Sequence, residues 1–215
     1  HPQYPTDSDD FRRPHSDWAA NGATTLFFRG ATLYRMDGSS PAISNLLTVK
    51  GKIVGIGNDV VAPNDATIID ASGWHIMPGI IDAHTTVGLS GILNSPQHDQ
   101  EQLDKSAPIQ PELRAIDAYN GRDPLVKWIR DLGVTTLHTG HSPGTLISGQ
   151  LMVVKTNVPS ITSIKDTLAP TSAVAATLGK GALSKSPGTR SKAIALLRAE
   201  FLIARTHATK IAKAN

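Results

Sequence analysis

The residues best suited to chemistry stand in the stretch "MPGIIDAHTTVGL", residues 77–89. Alternate side chains of a strand share a face, so Asp82, His84 and Thr86 are expected to point the same way. Two histidines at this spacing can hold one divalent ion, because both imidazoles reach a metal about 2.1 Å away from the same side. Thr86 occupies the second position of such a pair, and a neutral hydroxyl is a poor zinc ligand. On the residues alone, His84 is either a structural histidine at a strand end or one ligand of an incomplete pair, and Asp82 has a structural or supporting role.

Two further histidines, His138 and His141, close the β-rich run "VTTLHTGH". If this run is the strand beside the one that carries His84, both imidazoles face the same mouth and are candidates to bind a metal or the substrate. The alternative is that they are surface or hydrogen-bonded loop histidines. Gln150 follows the next apolar run and is a weaker candidate for the same pocket.

Composition excludes several kinds of site and of protein. The 215 residues contain no cysteine, which removes disulfides and thiolate metal sites. The formal charge is +3, but the lysines and arginines are spread along the chain and few aromatic residues accompany them, so no nucleic-acid partner is expected. No window approaches the roughly 20 apolar residues of a membrane span. His98 and the acidic residues of "HDQEQLD", 98–104, are more typical of a solvated loop than of a cation site.

The composition of the first residues predicts a flexible segment, residues 1–23. Proline, aspartate, serine and arginine dominate as far as Trp18, and the sequence begins at His1. This pattern is typical of a flexible terminus, or of the mature end that remains after a signal peptide is removed. The second interpretation predicts a periplasmic or secreted protein, and the first leaves a cytoplasmic location open.

The elements that must position the histidines follow in order along the chain. Residues 24–77 contain short β-rich runs separated by Asp-Gly, Lys-Gly and Gly-Asn turn signals, which predict hairpins of a small antiparallel sheet or sandwich. "GIIDAHTTVGL" predicts a buried strand. "DPLVKWIRDLG" predicts a helix with Asp123 as N-cap, an apolar side formed by Leu125, Ile129 and Leu132, and Gly133 as its end. Strand, helix and strand in this order predict a parallel α/β unit.

The residue patterns in the last third of the sequence predict further strands and a long helix. "GTLISGQLMVVKTN" predicts one or two strands, and "AVAATLG" is ambiguous between strand and helix. A helix is expected from about Ser191 to Lys213, because apolar residues recur three and four apart from Ile194 to Ile211. This stripe needs a partner surface, either its own domain or another chain.

The motifs together resemble a known family. "PGIIDAH", preceded by the hairpin segments "KGKIVGIG" and "IIDASGWHIMPG", resembles the start of the metal-dependent amidohydrolase superfamily, in particular its imidazolonepropionase-like branch. The segments "QPELRAIDAYN", "LGVTTLHTGHSPGTLISGQLMVVK" and "SPGTRSKAIALLRAEFLIAR" extend the resemblance over residues 25–210.

The resemblance implies a fold and an activity. It implies a (β/α)₈ barrel with divalent metal, zinc as the first expectation, at the strand ends, beside a small β-sandwich built from both termini. A metal-bound hydroxide then attacks an amide C–N bond, often cyclic and not a peptide bond. On this chain His84 matches the first histidine of the metal pair, whereas Thr86 falls on the second.

The remaining ligands implied by the family come from later barrel strands. A barrel needs about 250 residues by itself, and about 135 follow Pro78. Residues 78–215 are therefore expected to form only the N-terminal portion of the barrel. The chain is either part of a longer polypeptide, one chain of a split enzyme, or a fold cut down and reused. We prefer the first two, because an open half barrel exposes strand edges and the helix stripe.

Two candidate functions follow. The first is a metal-dependent hydrolase of C–N bonds, completed by the C-terminal half of the barrel on the same or a separate chain and expected to form a homo-oligomer. The alternative is a non-catalytic scaffold or assembly protein that lacks the second histidine and keeps the fold.

Overall fold

A computed structural model describes residues 24–91, 100–158, 161, 164–183 and 186–214. The expected flexible segment 1–23 and His98 lie outside the described residues. The chain divides into two compact units, one ending at Pro78 and the other beginning at Gly79.

The first unit contains one mixed five-stranded sheet. Its strands are β1 (Thr25–Leu33), β2 (Ala42–Val49), β3 (Lys52–Gly57), β4 (Thr67–Asp70) and β5 (His75–Ile76). β2 pairs antiparallel with both β1 and β3, as the hairpin signals predicted. β4 and β5 pair with β1 in parallel, so the expectation of an antiparallel sheet is wrong for these two strands. The chain from β3 to β4 does not fold back as a hairpin, and the short segment 71–74 leads from β4 to β5 along the same side of β1.

The turn between β2 and β3 shows why the Lys-Gly pair correctly predicted a hairpin. Lys50 and Gly51 join β2 to β3, and both have positive φ, 49° and 74°. Two successive positive φ values are typical of the tight turn that matches the twist of antiparallel strands. The sheet packs around a small core formed by Ala31, Leu33, Leu46 and Ala71.

The second unit contains a four-stranded sheet in the order β6-β7-β8-β9. The strands are β6 (Ile80–Thr85), β7 (Val134–Thr139), β8 (Ile147–Lys155) and β9 (Ala169–Ala176). β6 and β7 are parallel, which confirms the predicted unit, but β8 and β9 are antiparallel to their neighbours. Only a short loop joins β7 to β8, and without a crossover helix the chain can only turn back beside itself.

Three helices accompany this sheet, namely α1 (Ala115–Ala118), α2 (Pro124–Asp131) and α3 (Arg190–Ala214). α2 begins as predicted, because the Asp123 carboxylate accepts a hydrogen bond of 2.8 Å from the Leu125 amide. Its buried face differs from the prediction: Val126 is fully buried, whereas Leu132 is exposed. Leu125 and Ile129 pack at the margin of the core.

The core of the second unit lies between the sheet and the first two helices. Its buried members are Val87, Leu89, Ala115, Tyr119, Val126, Leu137, Met152 and Val154. β7 and β8 supply its fully buried strand residues. β6 was expected to be buried as well, and this is wrong: the Ile81 side chain is 65% exposed. β6 is an edge strand of the described sheet, paired on one side only.

α3 spans 25 residues and confirms the predicted helix. Its apolar stripe does not find a partner within the described part of its unit. Ala193 is buried, but Phe201 is 71% exposed and Ile194, Leu202, Ile203 and Ile211 are exposed as well. The interpretation that the stripe packs on its own domain is therefore not supported by these residues.

Candidate functional site

The end of β6 is irregular where the motif lies. The β6–β7 pairing shifts register between Asp82 and Thr85, so Ala83 and His84 stand outside the regular ladder. The Asp82 carboxylate accepts a hydrogen bond of 3.3 Å from the backbone amide of His84. Irregularities of this kind redirect side chains at the rims of sheets. Asp82 thus contacts the backbone of the motif, and the His84 side chain is exposed.

Thr86 points into a local turn. Its hydroxyl lies 3.4 Å from the Ser90 hydroxyl, which in turn donates to the Thr86 carbonyl at 3.3 Å. Leu89 donates its backbone amide to the same carbonyl. Thr86 therefore stabilises the loop that follows β6, and its hydroxyl is engaged there.

Both ring nitrogens of His138 are engaged in hydrogen bonds. Nδ1 lies 2.9 Å from the Ala83 carbonyl oxygen, and Nε2 lies 2.8 Å from the Ser172 hydroxyl. The ring therefore lies beside the residue that precedes His84, as the neighbouring parallel strand requires. His138 cannot ligate a metal through either nitrogen without breaking one of these bonds.

His141 lies in the loop after β7 and is only 4% exposed. Neither of its ring nitrogens has a partner of good hydrogen-bond geometry among the described residues, although the Gln102 backbone lies near enough to raise the pKa of the ring in part. Burial lowers the pKa of His141, while the nearby carboxylate of Asp104 opposes that shift. The ring lies directly against Gly149 of β8, where an added Cβ would collide with it. A buried imidazole without partners is costly, so this position is unusual for a purely structural residue.

The weaker candidates are accounted for by local contacts. Gln150 is held by two bonds of 2.8 Å, accepting from the Thr171 hydroxyl and donating to the Pro111 carbonyl. His75 bonds the Tyr34 hydroxyl at 3.1 Å in the first unit. Asp104 accepts a hydrogen bond of 2.7 Å from the backbone amide of Ser106, and hydrogen bonding by Ser106 lowers the pKa of the Asp104 carboxyl group.

Sequence reasoning missed Ser172 as a partner of His138. The two residues are 34 positions apart, and no sequence motif contains both of them. The segment that directly follows Ser172, residues 173–179, was also ambiguous between strand and helix, so the register of this part of the chain was not predictable.

Two curated proteins and one solved structure are similar to parts of this chain. No family model matches the chain. The amidohydrolase tasK of Hapsidospora irregularis is 30% identical over 118 residues, which are 53% of this chain and 12% of that protein. A dihydroorotase of Geotalea daltonii is 36% identical over 59 residues, 27% of this chain and 14% of that protein. The crystal structure of an amidohydrolase from Thermotoga maritima MSB8 superposes with a TM-score of 0.77 at 23% identity.

The predicted resemblance to the amidohydrolases is confirmed. The superposition covers 86% of this chain and 49% of the Thermotoga chain, so the shared fold extends over about half of that amidohydrolase. The chain also spans only a small share of the two curated relatives. The placement in the imidazolonepropionase-like branch stays a prediction.

The described residues do not form the complete metal site of an amidohydrolase. Within the described ranges, no group of three or more histidine, aspartate or glutamate side chains is arranged to hold a metal ion. His84 is exposed and available, Thr86 is engaged with Ser90, and His138 is saturated by hydrogen bonds. Zinc sites take at least three protein ligands. One imidazole is too few, so His84 alone does not fit such a centre.

A helix that crosses a membrane needs about 20 predominantly apolar residues. In the part of the chain that the structure describes, none has both the length and the apolar run needed to cross a membrane.

Proposed function

We propose that this chain supplies the opening strands of an amidohydrolase-type (β/α)₈ barrel that hydrolyses a C–N bond, with a cyclic amide as the favoured substrate class. One observation carries the proposal: the parallel β6–α2–β7 unit places the motif histidine His84 at the carboxyl end of the first strand. That end of a barrel strand is where active sites form. A relative named as a dihydroorotase and a fold shared with an amidohydrolase support the substrate class.

His84 is the residue that we assign to a divalent metal site, with zinc as the first expectation. Because the described residues offer no further free ligand set, the other ligands come from polypeptide outside the described ranges. His141 is the better of the two remaining histidines for a binding role, since its nitrogens are unpartnered.

The exposed apolar surfaces support a companion segment. The free edge of β6 presents Ile80 and Ile81, and the exposed face of α3 presents Ile194, Phe201 and Ile211. Parallel strands in a barrel are buried on both faces and paired on both sides. We propose that the remaining half of the barrel, on the same or a separate polypeptide, covers these surfaces, and that the completed protein is a homo-oligomer. Export to the periplasm or the medium stays a prediction.

The experiment uses the natural polypeptide that contains this sequence, identified by its tryptic peptide 131–155. Its mass, its metal content and its hydrolysis of a hydantoin, a dihydropyrimidine and dihydroorotate are measured. We expect a mass above 22.8 kDa per subunit or a companion chain, bound divalent metal, and ring opening that His84→Ala abolishes. His75→Gln is the matched control, because His75 is an exposed histidine in the other unit.

A second function, a non-catalytic scaffold, is favoured by one observation. The Thr86 hydroxyl is built into the loop after β6 and does not replace the missing imidazole. If the natural polypeptide is metal-free and opens none of the rings, the scaffold function is the correct one. Acquisition of metal by Thr86→His alone would then identify a degenerate site.

A further inference from the structure

We propose that Ser172 is a nucleophile activated by His138, and that this pair transfers acyl groups from esters without a metal. The arrangement is separate from the metal function proposed above. Its basis is a chain of two hydrogen bonds that runs from Ser172 through the imidazole to the Ala83 carbonyl.

The two hydrogen bonds fix the tautomer of His138. A carbonyl oxygen can only accept, so Nδ1 carries the proton and donates to Ala83 at 2.9 Å. In the neutral imidazole Nε2 then carries the lone pair, and the Ser172 hydroxyl at 2.8 Å donates to it. A nucleophile bonded to a base, and a base oriented by a third group, is the arrangement that activates a serine hydroxyl.

The backbone holds each member in place. The register shift in β6 takes Ala83 out of the regular ladder beside β7. On the other side, Thr171 bonds Gln150 of β8 at 2.8 Å and Ala173 pairs with Leu151, so both neighbours of Ser172 are tied to β8. The hydroxyl is thus carried on a fixed strand.

The pair is also accessible to a reactant. Ser172 is exposed on β9, and His138 is half-buried beneath it. A ring that is shielded on one side and a hydroxyl that is open on the other leave a path for an ester to reach Oγ. A serine inside the core would have no such path.

The reaction balances with these two residues and the ester. Oγ of Ser172 attacks the carbonyl carbon of the ester while its proton moves to Nε2 of His138. The C–O bond to the leaving group breaks, and the proton on Nε2 passes to the departing alkoxide, giving an alcohol and an acyl-serine. Water, deprotonated by the same Nε2, then releases the acid and restores the hydroxyl. The neutral Ala83 carbonyl stabilises the imidazolium less than a carboxylate does, so we expect modest rates with activated esters.

The test is covalent labelling of the 215-residue chain with an alkyl fluorophosphonate, followed by intact mass and peptide mapping. Attack by Oγ forms a P–O bond and releases fluoride with the serine proton. We expect one label per chain at Ser172, no label in Ser172→Ala, and labelling about 10²-fold slower in His138→Gln, as loss of a general base predicts. EDTA leaves the rate unchanged, which separates this result from failure of the metal function.

Two matched controls address general reactivity. Ser39 is also exposed and hydrogen-bonded, but to the Asp37 carboxylate, so Ser39→Ala keeps the label on Ser172. His75→Gln likewise leaves the labelling rate unchanged. Circular dichroism establishes that each variant is folded.

A second measurement covers the case in which the phosphonate is too bulky. The chain has no cysteine, so Ser172→Cys introduces its only thiol. We expect iodoacetamide to alkylate it about 10-fold faster than the thiol of Ser39→Cys, since a neighbouring histidine raises the thiolate fraction. Equal alkylation rates together with absent phosphonate labelling overturn the proposal, and so does labelling of His138→Gln at the wild-type rate.

Discussion

β6 and β8 belong to one sheet but differ in what they contribute to it. β6 holds the residues of the motif and is largely exposed, with one neighbouring strand. β8 holds none of the candidate metal ligands, lies between β7 and β9, and buries Leu151, Met152 and Val154. The strand that suggests the function therefore contributes little to the stability of this chain, and the strand without chemistry anchors the unit.

The largest effect on the free energy of unfolding is expected from a substitution in β8 that leaves a cavity in the core. Met152 is fully buried in the core of the second unit, so Met152→Ala should lower the free energy of unfolding by about 2–5 kcal/mol. Urea denaturation followed by circular dichroism measures it. A loss below about 1 kcal/mol would mean that β8 is not the anchor that its burial indicates.

The next largest effect on stability is expected from protonation of His141, whose buried imidazole packs against β8. Because burial lowers the pKa of His141, this side chain binds a proton at a higher pH in the unfolded chain than in the folded chain. Stability should therefore fall as the pH drops below about 6.5, the ordinary value for histidine.

Thermal melts at about pH 7.5 and about pH 5 measure this dependence. We expect a smaller acid-induced drop in Tm for His141→Gln than for the wild type, whereas His75→Gln keeps the full drop. Identical drops in all three proteins would show that His141 is not the group that titrates.

A smaller effect is expected at the helix between β6 and β7. The Asp123 side chain caps α2 by accepting the Leu125 amide, so Asp123→Ala should cost about 1 kcal/mol of stability. Asp123→Asn retains a capping oxygen and serves as the control, with most of the stability kept. Equal losses in the two variants would point to the charge and not to the cap.

The smallest effect is expected on β6 itself. Ile81 is 65% exposed, so Ile81→Ser should change the stability of this chain by less than about 0.5 kcal/mol. If the proposed companion segment covers this position, the same substitution in the polypeptide that contains it should lower Tm or weaken assembly. An equally small effect in both proteins would contradict the companion segment.

The sequence was informative wherever the signal is local. The Asp-Pro start and glycine end of α2 and the Lys-Gly turn between β2 and β3 were predictable, since neighbouring residues decide both. The direction of β8 and β9 was not, because it depends on how β7 is connected to them. The exposure of α3 was not predictable either, since periodicity reveals an apolar face and not what covers it.

The same distinction applies to the candidate site. The apolar run that ends in "DAH" is a local pattern, and it was enough to locate His84 at the end of a strand. The contacts that decide the roles of Thr86 and His138 are not encoded in this way, and the bond from His138 to Ser172 joins β7 to β9. Those roles depend on the three-dimensional arrangement of the strands.

The zinc content of the 215-residue chain, after incubation with zinc and desalting, tests the central claim most directly. Inductively coupled plasma mass spectrometry of the wild type, His84→Ala and Thr86→His gives the number of ions per chain. We predict far less than one zinc per chain for both the wild type and Thr86→His, because one or two imidazoles fall short of the three protein ligands that a zinc site takes. A full equivalent of zinc on the wild type, lost in His84→Ala, would contradict the claim that the ligands are divided between this segment and another.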